Sequence, residues 1–226
     1  MKLDIENKKS KELPKLSDKA LRDEFINTIL KYKIESNSYD ADFTLEQELE
    51  KKLFAENSFF ESVMNAVLKA KKYHPNTNII TLFDIDETLA TNTYVTDTET
   101  KTFIRPSVST LFQFLKEQGI QIGLLSSRSE IESQLNDVEN LESINTYINS
   151  ELVLSTRNTL SGSNEQRLSE KYKDNMFGIG DLEKISFFEN FITNHPDAII
   201  IPVDDLEYPS LFEYGVALSP QEKFFV

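Results

Sequence analysis

Cysteine is absent from the 226-residue sequence, and histidine occurs only twice. Without cysteine there is no disulfide framework, no thiolate metal site and no thiol nucleophile. His74 and His195 each precede a proline in a polar stretch, so both read as solvated loop residues rather than catalysts or ligands. Any acid–base chemistry therefore falls to carboxylates. Positive charge is also in short supply, with a net charge of −14. Such a field repels phosphate backbones, so neither nucleic acid nor an anionic membrane is an expected partner. No run of roughly 18 apolar residues occurs, so membrane insertion is not expected either. The first residues, MKLDIENKKSKELPK, lack the apolar core of a signal peptide, and a cytoplasmic protein is the expectation.

What the chain does contain is an ordinary globular balance, 39% hydrophobic and 27% charged. Its length suffices for one large domain, or one domain with an extension. Residues 1–76 lack strand signals and read as a helical N-terminal extension. In LSDKALRDEFINTILKYK, Leu21, Phe25, Ile29 and Tyr32 recur at helical spacing behind a capping Ser17. After the loop-like IESNSYDAD, Thr44 and Gln47 fit a capping box for a second helix, and FFESVMNAVLKAKK reads as a third.

From residue 77 to 226 the pattern becomes strand and helix in alternation. Strands are expected at 79–84, 120–125, 151–154, 198–203 and about 215–218, with helices at 107–118, begun by Pro106, and at 185–194. Such alternation predicts an α/β fold with a mainly parallel sheet flanked by helices. Sites in these sheets form at the carboxyl ends of the strands.

Those ends carry unusual residues. The apolar run of NIITLFDIDETLATNTY stops at Asp84 and Asp86, which point to the same face of an extended chain while Ile85 points away. Two carboxylates about 5 Å apart repel by roughly 3 kcal/mol at an effective dielectric near 20, so a cation is expected beside them. The strand in IQIGLLSSR ends with Ser126, Ser127 and Arg128, where hydroxyls and backbone amides suit phosphate oxygens or simply cap a helix. The strand in AIIIPV ends with Asp204 and Asp205. A second acidic pair at the same sheet edge points to a shared hard cation, and oxygen-only ligands suit Mg²⁺. Lys184, at the start of the helix that leads to the Asp204 strand, is the candidate protein cation. Gly178 and Gly180 make a lone GxG that reads as a turn.

In this order the residues resemble the haloacid dehalogenase (HAD) superfamily: D-x-D-x-T (Asp84, Asp86, Thr88), a serine after the second strand (Ser126), a lysine (Lys184), then an acidic pair (Asp204, Asp205). The likeness spans about residues 78–218 and implies a HAD-like Rossmannoid sheet. It further implies that Asp84 is a nucleophile forming an aspartyl-phosphate and that Asp86 is the general acid and base. Mg²⁺ would be held by Asp84, the Asp86 carbonyl and one or both of Asp204 and Asp205. Thr88, Ser126, Ser127 and Lys184 would hold the phosphoryl group. Lys171 and Lys173 compete with Lys184, because only spacing selects it.

The resemblance thus implies a Mg²⁺-dependent phosphatase acting on a phosphorylated substrate. Two segments occupy the places of a specificity cap: LATNTYVTDTETKTF is hairpin-sized, and RNTLSGSNEQRLSEKYKDNM has room for one helix. An open site of this kind admits a phosphoprotein, including phosphotyrosine, and the chain is similar to bacterial effector phosphatases with this core, which would act inside a host cell. Small phosphomonoesters are the alternative substrate, and a silent binding module the alternative role. A receiver-type signalling domain uses similar residues in a different strand order, which this chain does not follow.

Overall fold

The computed structural model describes residues 45–94, 100–127, 142–157, 159–160, 162–175, 177–208 and 212–219. The helix expected over LSDKALRDEFINTILKYK, the loop after it and Arg128 lie outside the described residues. The strands are β1 (Asn78–Asp84), β2 (Ala90–Tyr94), β3 (Thr100–Ile104), β4 (Gln121–Ser126), β5 (Val153–Ser155), β6 (Ala198–Asp204) and β7 (Val216–Ala217). The helices are α1 (Leu45–Tyr73), α2 (Val108–Glu117), α3 (Glu142–Asn145), α4 (Ser163–Lys171) and α5 (Ile179–Asn194).

Among the described residues, β5-β4-β1-β6-β7 form one five-stranded sheet in which every pairing is parallel. Strands β2 and β3 pair separately as an antiparallel hairpin, within the segment expected to be hairpin-sized. From β1 the chain moves to β4 on one side, whereas β6, on the other side, leads on to β7. Connections that depart in opposite directions open a crevice between the carboxyl ends of β1 and β6.

Helices on both faces explain why β1 reads as a continuous apolar run. Ile79 and Phe83 pack with Phe59, Val63 and Val67 of α1 and with Leu111, Phe112 and Leu115 of α2. Ile80 and Leu82 point the other way, onto Phe188 and Phe191 of α5. Phe59 and Val63 are wholly buried, and each contributes on the order of 1.5–3 kcal/mol through burial. The arrangement is Rossmann-like: one parallel sheet between two helical layers.

Several boundaries differ from the sequence reading. The second and third expected helices are one 29-residue helix, α1, because LEQELEKKLFAENSFFE holds neither glycine nor proline to interrupt it. Helix α5 starts at Ile179 rather than 185: Gly178 is its N-cap, and the Gly178 N–H donates to Asp181 Oδ2 at 2.7 Å. The glycines that read as a turn are therefore a helix start. A 3₁₀ turn, Ser150–Leu152, takes the first part of the strand expected at 151–154. Helix α2 closes on Gly119, at φ +73°, with Gly119 N–H donating to Lys116 O and Ile120 N–H to Leu115 O. That paired closure needs a left-handed residue, which glycine adopts without strain.

Helix α4 lies in the segment expected to add one helix, and its Leu168 packs with Leu182 and Ile185 of α5. Asn164 Nδ2 donates to Ser186 Oγ at 2.7 Å, which fixes α4 on the helix that carries Lys184.

Candidate functional site

Strands β1 and β6 are paired up to Phe83 and Val203, so Asp84 and Asp204 leave the sheet at the same edge. Asp84 and Asp204 are buried, and Asp205 is half-buried. Each of the three offers a carboxylate oxygen, and these atoms lie within 4.8 Å of one another. Residues more than a hundred positions apart in sequence thus converge at the crevice that the topology opens.

Lys184 reaches this cluster from the second turn of α5. Its Nζ lies 2.9 Å from Asp84 Oδ1 and donates to Asp204 Oδ2 and Oδ1 at 3.0 and 3.2 Å. Burial pulls the Lys184 ammonium down, but Asp84 and Asp204 more than offset it, and its pKa rises above the ordinary lysine range. The rivals are elsewhere. Lys171 pairs with Glu189 at 3.3 Å and Lys173 with Glu170 at 2.9 Å, all on exposed or half-exposed surface. Such pairs contribute roughly 0–1 kcal/mol.

The two acids of the β6 pair are not equivalent. Asp204 Oδ1 accepts from the Leu206 N–H at 3.0 Å as well as from Lys184, and Oδ2 accepts from the Tyr208 hydroxyl at 2.5 Å. Both Asp204 oxygens thereby accept from donors of the protein, and Asp204 is the acid of the pair that Lys184 holds. Burial raises the Asp84 carboxyl well above its usual range, and Asp204 adds to the rise while Lys184 opposes it. Burial raises Asp204 too, against Lys184 and Tyr208. One ammonium does not balance the carboxylates gathered here. An all-oxygen donor set with excess negative charge fits a hard divalent cation.

Tyr208 is the residue that sequence reasoning missed. Its ring packs edge-on against Phe188 and Phe212, with centroids 5.1 and 5.8 Å away, which aims the hydroxyl at Asp204. Burial, then Asp204, pushes the phenol far above its ordinary pKa, so it remains a donor. A tyrosine in a polar turn before a proline carries no local signal of this role. Tyr208→Phe is expected to lower stability by about 1.5–3 kcal/mol, the usual worth of a hydrogen bond to a charged group. Urea unfolding of the variant checks this; a change below about 0.5 kcal/mol would show that Lys184 and the Leu206 N–H hold Asp204 unaided.

Beyond Asp84 the chain folds into a tight turn. Leu89 N–H and Ala90 N–H donate to Ile85 O at 3.0 and 2.8 Å, and Glu87 N–H donates to Ala90 O at 2.8 Å. Glu87 takes a left-handed backbone, φ +59°, which non-glycine residues adopt in only a few per cent of cases. Ile85 joins the apolar cluster under α1 together with Ile79 and Phe83. Asp86 is half-buried, and its charge contributes to the raised pKa of Asp84. Thr88 is wholly buried, and its hydroxyl has no hydrogen-bond partner among the described residues.

Ser126 is buried at the end of β4, beside β1, where Asp84 pairs with Leu125. Ser127 is half-buried against the first turn of α5: a Cβ built on Gly180 lies 3.8 Å from Ser127 Oγ. All the residues singled out at strand ends, apart from Arg128, therefore fall on one edge of the sheet. The histidines do not. His74 lies 3.1 Å from the Tyr214 hydroxyl, and His195 stacks on Phe191 with centroids 4.1 Å apart. Both are half-buried and packed on protein rather than fully solvated.

Chemically, the edge offers a carboxylate held by an ammonium, a second carboxylate, Asp86, close enough to act on its charge, hydroxyls at the end of the neighbouring strand, and oxygen donors for a cation. Compared with protein-family models, with curated proteins and with solved structures, the chain matches none.

Proposed function

We propose that the chain is a HAD-type phosphatase that hydrolyses phosphomonoesters through an aspartyl-phosphate. The observation that carries this reading is the contact of Lys184 Nζ with both Asp84 and Asp204, 2.9 and 3.0 Å away. Motif residues that the resemblance assigns to one site are, in this fold, hydrogen-bonded to each other.

In this reading an Asp84 oxygen attacks phosphorus while the bond to the substrate oxygen breaks, and Asp86 delivers its proton to that departing oxygen. The alcohol leaves and the PO₃ group stays on Asp84. Asp86, now ionised, takes a proton from water as the water oxygen attacks the same phosphorus. Phosphate departs, and Asp84 and protonated Asp86 are restored. Lys184 keeps its proton throughout, consistent with its raised pKa, and with Ser126, Ser127 and Thr88 it steadies the phosphoryl oxygens. Asp204 orients Lys184. Mg²⁺, held by Asp84, the Asp86 carbonyl and Asp205, would supply charge neutralisation between the anionic nucleophile and the anionic substrate.

The cap segments are small, a hairpin and the nine-residue helix α4, and this supports a large substrate such as a phosphoprotein. The net charge of −14 speaks against a polynucleotide end. Phosphate release is to be measured from p-nitrophenyl phosphate and from a panel of phosphotyrosine peptides, sugar phosphates and nucleotides, with MgCl₂ or with excess chelator. Mg²⁺-dependent release with the highest kcat/KM on phosphopeptides is expected. Release from none of these substrates would overturn the assignment, and a preference for sugar phosphates or nucleotides would replace the phosphoprotein by a small metabolite.

A further inference from the structure

One fully buried ion pair takes no part in the chemistry above. Arg105, between β3 and α2, lies 2.8 Å from Glu56 of α1 through Nη1 and Oε1, with neither side chain exposed to solvent. The other Glu56 oxygen accepts the Ser107 N–H at 2.7 Å, and the guanidinium rests 4.2 Å from the Phe59 ring centroid. Burial raises the Glu56 carboxyl, while Arg105 and Ser107 pull it back down. The orientation of Arg105 is thus fixed from α1.

What Arg105 then grips is the turn after Asp84. Its Nε donates to the Thr88 carbonyl at 2.9 Å, and its main-chain N–H donates to the Leu89 carbonyl at 2.8 Å. Two consecutive carbonyls are held by one residue, next to the left-handed Glu87. Stability alone gives little reason for such a pair, since apolar side chains of the same volume often serve as well; a geometric role is the better-attested use of buried ion pairs.

We propose that Arg105, clamped by Glu56, is the positioning residue for the turn that carries Asp86, so that α1 is part of the frame of the site. The catalytic consequence rests on the phosphatase reading, whereas the coupling between α1 and the turn does not.

Two variants separate the clamp from the grip. Glu56→Gln keeps the volume but weakens the hold on Arg105. Arg105→Lys keeps a positive charge for Glu56 and removes the Nε–H that reaches Thr88. In both, hydrogen exchange at the Glu87, Leu89 and Ala90 amides is expected to speed up about tenfold or more, while Ile80 to Phe83 in β1 stay within about twofold of wild type. With p-nitrophenyl phosphate and MgCl₂, kcat is expected to fall about 10- to 100-fold with a smaller change in KM, because Ser126, Ser127 and Lys184 lie outside the turn and only Thr88 of the phosphoryl-holding residues lies within it. Equal acceleration in turn and strand would mark a plain loss of stability and overturn the proposal. Unchanged exchange at the turn in Arg105→Lys would overturn it as well, and this milder variant decides the matter if Glu56→Gln does not fold. Should the wild type release no phosphate, the phosphatase reading fails, and exchange at the three turn amides still decides the coupling.

Discussion

Lys184→Met is expected to destabilise the metal-free protein by about 3–5 kcal/mol, the usual cost of stripping one partner from a buried ion pair. Methionine preserves the length of the stem, so the effect isolates the charge. In the wild type, Nζ stands 2.9 Å from Asp84 and 3.0 Å from Asp204, both buried. Without it, those carboxylates face each other with no ammonium between them, and each favours its protonated form more strongly.

The sign of the pH dependence follows. Asp84 and Asp204 already have raised pKa values in the folded state, and the substitution raises them further. A carboxyl whose folded pKa exceeds its unfolded value stabilises the fold below the unfolded pKa, and that contribution is lost as pH climbs through the folded one. The variant is therefore least stable at alkaline pH and recovers towards pH 4. Urea unfolding at pH 5 and pH 8 measures the difference, and added MgCl₂ should restore part of it by linkage. Equal stability of variant and wild type at pH 8 would mean that Lys184 does not balance these acids.

Asp84→Asn is expected to act in the opposite way: a large loss of turnover with little change in stability. An amide is not a nucleophile for phosphorus, so phosphate release should fall at least about a thousandfold, roughly 4 kcal/mol of barrier. The fold loses one buried negative charge that desolvation already disfavours, while Lys184 keeps Asp204. Stability at pH 7 should thus stay within about 1 kcal/mol of wild type, or rise. Single-turnover kinetics with borohydride reduction provide the direct readout: a reduced residue 84 in the wild type, and none in the variant. Full turnover by Asp84→Asn would remove the nucleophile assignment.

Much of the frame was legible before the structure. A strand buried on both faces is apolar at successive positions, so Ile79 to Phe83 announced β1, and acids directly after it were conspicuous. The other strand-end residues followed from the same alternation of strand and helix. Side-chain partners away from the strand ends were not legible. Nothing near Glu56 signals a partner 49 positions away, and nothing near Tyr208 signals that its ring is aimed by Phe188. Local propensity also misplaced the start of α5, because glycine is a weak helix former and the capping contribution of Asp181 outweighs it. The choice among Lys171, Lys173 and Lys184 needed three-dimensional distances, since all three lie close together in sequence.

The central position of β1 has a consequence for synthesis. One of its neighbours, β4, follows within forty-odd residues, but the other, β6, is made only after residue 197. Until then a nascent chain carries a half-paired, strongly apolar strand whose open edge invites pairing with other polypeptides. Both later acids, Asp204 and Asp205, are also missing from the edge at that stage, so Lys184 is made before its second partner. The acidic cluster is accordingly completed only when β6 slots in, a late event governed by long-range contacts.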